Sequence, residues 1–182
     1  MKLKEILDEI IAQKSKPLTK YKLFELFDFE NKQIPKITRF SDMAYNFEVE
    51  IDGGMVDVYV DFVKTEPDRL ILIPVFKSVT DIYNVAYALG DEMETNQYAK
   101  TDLKTIGFIM YAITEVVAKF VKDKSPEMLT FFATSKDFTD RGEQQKLNMY
   151  KTIADKYKPH GYIVGNIRSA DGQSGFYLAG KS

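Results

Sequence analysis

The chain has 182 residues, of which 45% are apolar and 29% charged, so we expect one globular domain with a sizeable core and not a disordered chain. Its 25 basic and 27 acidic residues give a formal charge of -2, which disfavours a general nucleic-acid binder. The sequence has no cysteine, which excludes disulfides and thiolate metal sites, and no apolar run approaches the roughly 18 residues that span a membrane.

The N-terminal region predicts two helices. Residues 2–14 carry an apolar stripe with the three-four spacing of one helical face, formed by Leu3, Ile6, Leu7, Ile10 and Ile11. Residues 20–29 predict a second, shorter helix. We therefore expect a helical appendage at residues 1–30, before a main domain at residues 31–182. The stripe can pack on that domain or bind a partner, and the sequence leaves both open.

The next region alternates with a period of two, which predicts a β-hairpin with one buried and one solvated face. Its strands are predicted at residues 43–51 and 56–62, on either side of Asp52-Gly53-Gly54. A turn at Gly53-Gly54 would pair Ile51 with Val56, and a shift of the turn by one residue would keep the same faces.

Two further strands follow. Residues 70–76 lack alternation, which predicts a strand buried on both faces, although Pro74 favours an edge. Residues 82–89 predict a strand with Tyr83, Val85, Tyr87 and Leu89 on one face.

The C-terminal half predicts alternating helices and strands. A long helix at 102–122 has a stripe formed by Ile106, Ile109, Met110, Ile113, Val116, Val117 and Phe120. After it we predict a strand at 128–134, a loop at 135–142, a helix ending near Lys156, a strand at 162–167, a polar turn at 168–175 and a short strand at 176–178.

This order predicts an α/β (α+β) fold with a mixed sheet, in which an antiparallel meander precedes strand–helix–strand–helix–strand. The strands at 82–89 and 128–134 should be parallel, because a helix connects them. This order resembles the GNAT acyltransferase fold, as does the helix Leu147 to Tyr157 followed by Gly161-Tyr162. The resemblance implies an acyl-coenzyme A donor, a cleft between these two strands and Tyr150 as general acid.

The segment that would hold the donor departs from the GNAT pattern. In that family a glycine-rich loop entering the long helix holds the coenzyme A pyrophosphate through backbone N–H groups. Here residues 90–101 contain one glycine and the three acids Asp91, Glu92 and Glu94, which would repel a pyrophosphate. We therefore predict no cofactor, although the scaffold resembles that of acyltransferases.

A second resemblance is to small tailed-phage proteins. It rests on Phe132-Ala133, Arg141, and Leu147 with Tyr150, and the loop before Arg141 is longer here. This resemblance implies a viral protein in the host cytoplasm or the virion, with a phage or host protein as partner.

Several residues are candidates for binding or catalysis. Glu48, Glu50, Asp57 and Asp61 share the solvated face of the hairpin. Close carboxylates can bind a divalent cation, but no metal-ligand spacing supports this, so we predict a solvated face and no metal site. Asp91, Glu92 and Glu94 are interpreted in the same way, as a solvated loop.

The loop after the strand at 128–134 offers cationic side chains. Lys136 and Arg141 are candidate ligands for an anionic cofactor or substrate, because loops at the carboxyl ends of parallel strands often carry binding sites. The single histidine, His160, lies between Pro159 and Gly161 with no serine–aspartate constellation nearby, so a turn residue is favoured over a general base.

The preferred functional hypothesis is protein–protein binding without catalysis, because no nucleophile, metal set or phosphate loop is recognisable. The first alternative is an atypical acyl-coenzyme A-dependent N-acetyltransferase. The second alternative is a nucleic-acid accessory protein with a lysine-rich face, formed by Lys119, Lys122, Lys124, Lys146 and Lys151.

Overall fold

The computed structural model describes residues 28–71, 76, 78–90, 103–132 and 140–180. The strands are β1 (Thr38–Arg39), β2 (Ala44–Ile51), β3 (Gly54–Thr65), β4 (Leu70–Ile71), β5 (Ile82–Leu89), β6 (Met128–Phe132), β7 (Tyr162–Ser169) and β8 (Ser174–Gly180). The helices are α1 (Leu103–Lys124) and α2 (Asp140–Tyr157), and a short 3-10 turn spans Pro67–Arg69. The fold is therefore α+β, as predicted.

The strands form one mixed sheet in the order β1-β2-β3-β5-β6-β8-β7-β4. β5 and β6 pair in parallel, as predicted for strands that a helix connects, and the other neighbours pair antiparallel. β8, the last of these strands in the chain, lies inside the sheet between β6 and β7.

The hairpin of β2 and β3 turns one residue earlier than predicted. Asp52 and Gly53 both have positive φ, at 52° and 80°, which is the geometry of a two-residue type I′ turn. The predicted pairing of Ile51 with Val56 is therefore wrong, because Val56 lies opposite Val49. The faces are still as predicted, because the register differs from the predicted one by two residues.

Both helices pack on one face of the sheet. The predicted stripe of α1 is confirmed, since all seven of its members are at most 2% exposed. The Phe120 ring stacks on Phe62 of β3 at 3.8 Å between centroids and meets Tyr83 of β5 edge-on at 5.1 Å. Phe29 is fully buried against α1, with its ring stacked on Tyr111 at 5.6 Å.

The connection between β3 and β5 crosses the other face of the sheet. β3 and β5 are neighbours, but β4, which lies between them in the chain, pairs with β7 at the far edge. This crossing covers a second, smaller core, formed by Leu70, Ile82, Met128, Ile167, Tyr177 and Ala179 with Phe76 and Val79 packed against it. For the strand predicted at 70–76, the expected burial on both faces is wrong at Ile71, which is 56% exposed, and residues 72–75 lie outside the described residues.

Glu127 fastens the end of this crossing to the start of β6. Its Oε2 accepts the backbone N–H groups of Thr80 and Asp81, both at 2.8 Å. These two hydrogen bonds hold the pKa of Glu127 below its usual 4.5, and the one from Asp81 has the larger effect. The Glu127 N–H donates back to the Asp81 carbonyl, so the link is reciprocal.

Three predicted boundaries need correction. α2 begins at Asp140, so the predicted loop at 135–142 is wrong for its last three residues. β7 and β8 are longer than predicted, and the turn between them is correspondingly shorter. Residues 28 and 29 are not helical, and the rest of the predicted N-terminal helices lies outside the described residues.

We predict that Gly165→Ala destabilises the fold by about 1–3 kcal/mol, because its Cβ would meet the Tyr177 ring at 2.4 Å. The matched control is Gly54→Ala, whose nearest contact is at 3.7 Å. Urea unfolding measures both variants. Equal stability of the two variants would contradict the close packing of Tyr177 on β7.

We predict that Glu127→Gln lowers stability at pH 7 and that this deficit becomes smaller at pH 3. A carboxyl with a lowered folded-state pKa stabilises the fold above its unfolded pKa, and this contribution is lost as pH falls through the folded value. Below that value the native glutamic acid is neutral, like glutamine. Urea unfolding at both pH values tests this, with the exposed Glu66→Gln as control. A stability deficit that is the same at both pH values would exclude the charge as its cause.

Candidate functional site

The two parallel strands at the centre of the sheet separate before they end. β5 and β6 pair over three residue pairs, Ile82 with Met128, Tyr83 with Leu129 and Asn84 with Thr130. β5 continues to Leu89 and stays paired with β3, while β6 continues to Phe132 and stays paired with β8. Within the described residues the sheet therefore opens between β5 and β6, towards the carboxyl ends of both strands, where α/β proteins commonly bind ligands.

The last residue pair before the opening is polar. Thr130 is fully buried, and its Oγ1 lies 3.4 Å from the Oδ1 of Asn84, which is a long and therefore weak hydrogen bond. The sequence carried a signal for both residues, because a threonine interrupts the apolar run of β6 and an asparagine interrupts that of β5. Neither residue is among the predicted site residues.

Aromatic rings line the helix side of the opening. Tyr87 lies on β5 three residues past Asn84, and its ring meets that of Tyr150 on α2 at 6.3 Å between centroids. Phe131, on the β6 side, stacks on Phe176 of β8 at 4.5 Å. The Tyr150 side chain is 5% exposed. The structure thus brings Tyr150 against β5 at the level where β5 has left β6.

Other predicted site residues can be placed only in part. Asp91, Glu92, Glu94 and Lys136 lie outside the described residues, in the segments that follow β5 and β6. The backbone of Arg141 lies in the first turn of α2, and its side chain is outside the described part.

His160 lies at the opposite end of the strands from the opening. It is exposed in the turn between α2 and β7. β7 runs parallel to β6, because both are antiparallel to β8, so the start of β7 lies at the amino end of β6. The opening is at the carboxyl end of β6, which separates His160 from it.

The solvated face of the hairpin is a second feature, which we call the acidic face. It carries the carboxylates of Glu48, Glu50, Asp57 and Asp61. It also carries the exposed apolar side chains of Phe40, Met55 and Val63. Glu48 lies directly opposite Asp57, and like charges in that position destabilise a strand pair. Asp57 accepts a hydrogen bond from the Asn46 amide at 3.2 Å. In the described part of the chain, no group of three acidic or histidine side chains is arranged to hold a metal ion.

An ionic network positions Phe40 on the acidic face. Arg39 bonds Asp42 at 2.6 Å and Asp123 at 3.0 Å, and Lys124 bonds Asp42 at 3.1 Å. These contacts hold the turn between β1 and β2 against the end of α1. The neighbouring Phe40 then stacks on Tyr59 of β3 at 6.4 Å, while 62% of it stays exposed. The sequence did not reveal this network, because its members come from distant segments.

The predicted lysine face is partly engaged in other contacts. Lys124 pairs with Asp42, and Lys151 donates to the Asn166 side chain at 2.8 Å. Lys119 and Lys122 are exposed, and the Lys146 side chain lies outside the described part.

Comparison with family models, with curated proteins and with solved structures gives no match to this chain. Among the helices that the structure describes, none has the length and apolar character needed to cross a bilayer.

We predict that Glu48→Gln stabilises the fold by less than about 1 kcal/mol, because it removes the repulsion with Asp57 directly opposite. The matched control is Glu50→Gln, which lies opposite the uncharged Met55 and should change stability less. Urea unfolding at low and high salt measures both, and the difference should shrink in salt. A lower stability of Glu48→Gln than of the wild type would contradict the repulsion.

Proposed function

We propose that this domain binds an acyl thioester in the opening between β5 and β6 and transfers the acyl group to an amine, as an atypical N-acyltransferase. The observation that carries the proposal is the end of the β5–β6 pairing at Asn84 and Thr130. The order of strands and helices, which resembles that of GNAT acyltransferases, supports it.

The opening has the character that an extended thioester arm requires. In the described residues, Phe131 and Phe132 of β6 pair with β8 but not with β5. A pantetheine-like arm carries amides that can bond to strand edges of this kind, as an added strand does. The aromatic wall of Tyr87 and Phe131 offers apolar contact to the arm and excludes water.

The reaction needs one proton donor at the thiol. The amine nitrogen attacks the thioester carbonyl carbon, so a C–N bond forms and the C–S bond breaks. The amine loses a proton to solvent, and the leaving thiolate takes one. We assign that donation to Tyr150, since a phenol with a usual pKa near 10 can protonate a thiolate as it leaves.

The acidic segment after β5 favours a donor that binds through its arm. Asp91, Glu92 and Glu94 would repel the pyrophosphate of coenzyme A. We therefore expect the nucleotide part of the donor to contribute little to binding.

A second candidate function is the binding of another protein without catalysis, in a phage virion or against a host factor. The observation that favours it is the exposure of Phe40, Met55 and Val63 on one sheet face, at 62%, 63% and 52%. The phage origin itself stays a prediction. A nucleic-acid role finds less support, because Lys124 and Lys151 are engaged within the protein.

We predict that S-acetyl-pantetheine and acetyl-coenzyme A raise the melting temperature by similar amounts. A ligand at a hundred times its Kd adds about 2.7 kcal/mol, which is roughly 5–10 °C for a domain of this size. If neither compound raises the melting temperature, the proposed binding site is wrong.

Catalysis is measured as release of free thiol from the donor in the presence of primary amines, and the absence of cysteine removes background from the protein. We expect Tyr150→Phe to slow release about 100-fold or more while donor binding is kept. Tyr157→Phe, at the last residue of α2 and about two helical turns beyond Tyr150, is the control and should keep the rate. Equal rates for the two variants would exclude Tyr150 as proton donor.

A further inference from the structure

We propose that the acidic face docks a basic, partly apolar segment of another protein. This inference rests on the second candidate function and adds the surface and the chemistry of the partner. The acidic face lies on β2 and β3, one strand away from the opening between β5 and β6, and Val63 at its margin lies opposite Asn84.

The charge of the acidic face has one sign. The charged side chains that β2, β3 and β5 place on this face are all carboxylates, from Glu48, Glu50, Asp57 and Asp61. The only base in these strands is Lys64, which lies over the Tyr83 ring on the helix side and pairs with Asp81. Lysine or arginine side chains of a partner would therefore meet no competing base from these strands.

Apolar side chains accompany the carboxylates. Met55 lies opposite Glu50, and Val63 follows Asp61 on the same face of β3. Phe40, stacked on Tyr59, adds an exposed ring beside them. A segment that alternates basic and apolar residues would bury these side chains and neutralise the carboxylates together.

The repulsion between Glu48 and Asp57 also favours a binding role. A pair of like charges directly opposite on two strands is retained at a cost to stability. A basic partner would neutralise these two carboxylates and remove that cost on binding. The repulsion therefore favours the bound state over the free one.

Two other occupants fit the surface less well. A second copy of this chain, related by a two-fold axis, would bring the acidic face against itself and double the negative charge. A nucleic acid would meet the carboxylates with its phosphates. A basic protein segment is the occupant that both the charge and the exposed rings favour.

The test uses the full chain and a synthetic 18-residue helical peptide of lysine and leucine as the probe. Calorimetry compares the wild type with Glu48→Gln/Glu50→Gln/Asp61→Asn. The matched control is Glu30→Gln/Glu66→Gln/Asp68→Asn, which removes three exposed acids that lie outside β2 and β3. We expect at least tenfold weaker binding for the first variant and less than a twofold change for the control.

A third variant, Phe40→Ser/Met55→Ser, tests whether the surface binds the peptide independently of the inferred charge of the partner. If Phe40→Ser/Met55→Ser weakens peptide binding while the acid-neutralised variant binds like the wild type, the surface binds but the inferred charge of the partner is wrong. If neither change weakens binding, or both acid-neutralised variants weaken it equally, the acidic face is not the docking surface. If the wild type does not bind the peptide, the proposal of a basic partner fails, whereas the acyl-transfer proposal is untouched.

Discussion

The sheet depends on the unequal pairing of β5 with its two neighbours. On one side β5 pairs with β3 through all eight of its residues, from Ile82 to Leu89. On the other side it pairs with β6 through its first three residues. Because a ladder of backbone hydrogen bonds holds β5 to the hairpin, the sheet can part only on the β6 side. The opening and its aromatic wall follow from this asymmetry.

The helix layer keeps both halves of the sheet in one body despite the opening. α1 packs on the hairpin side through Phe120, which contacts Phe62 and Tyr83. α2 contacts α1, β7 and β8, and its Tyr150 reaches across to Tyr87 on β5. One continuous core therefore spans the two halves, and the crossing from β3 to β5 closes the amino end of the parallel pair through Glu127. The helices leave the acidic face of β2 and β3 uncovered, whereas Tyr150 of α2 lies against the opening from the helix side.

Local patterns in the sequence predicted most of the elements but little of their arrangement. The alternation of Tyr83, Val85 and Tyr87 and the stripe of α1 are local, and both are confirmed. The place of β4 at the far edge and of β8 between β6 and β7 depends on pairing between distant residues, which no local pattern encodes. A cleft between β5 and β6 was expected from the family resemblance, but the residues at which the pairing ends, Asn84 and Thr130, were not predicted, for the same reason. Tyr150 was named from a family resemblance, whereas its contact with Tyr87 needed the fold.

The separation of β5 from β6 is tested most directly by nuclear Overhauser effects between the two strands. We predict backbone contacts between Asn84 and Thr130 and none between Ala86 and Phe132, the pair that a continued parallel register would bring together. Contacts that continue through Ala86 and Phe132 would show a closed sheet and contradict the proposed site.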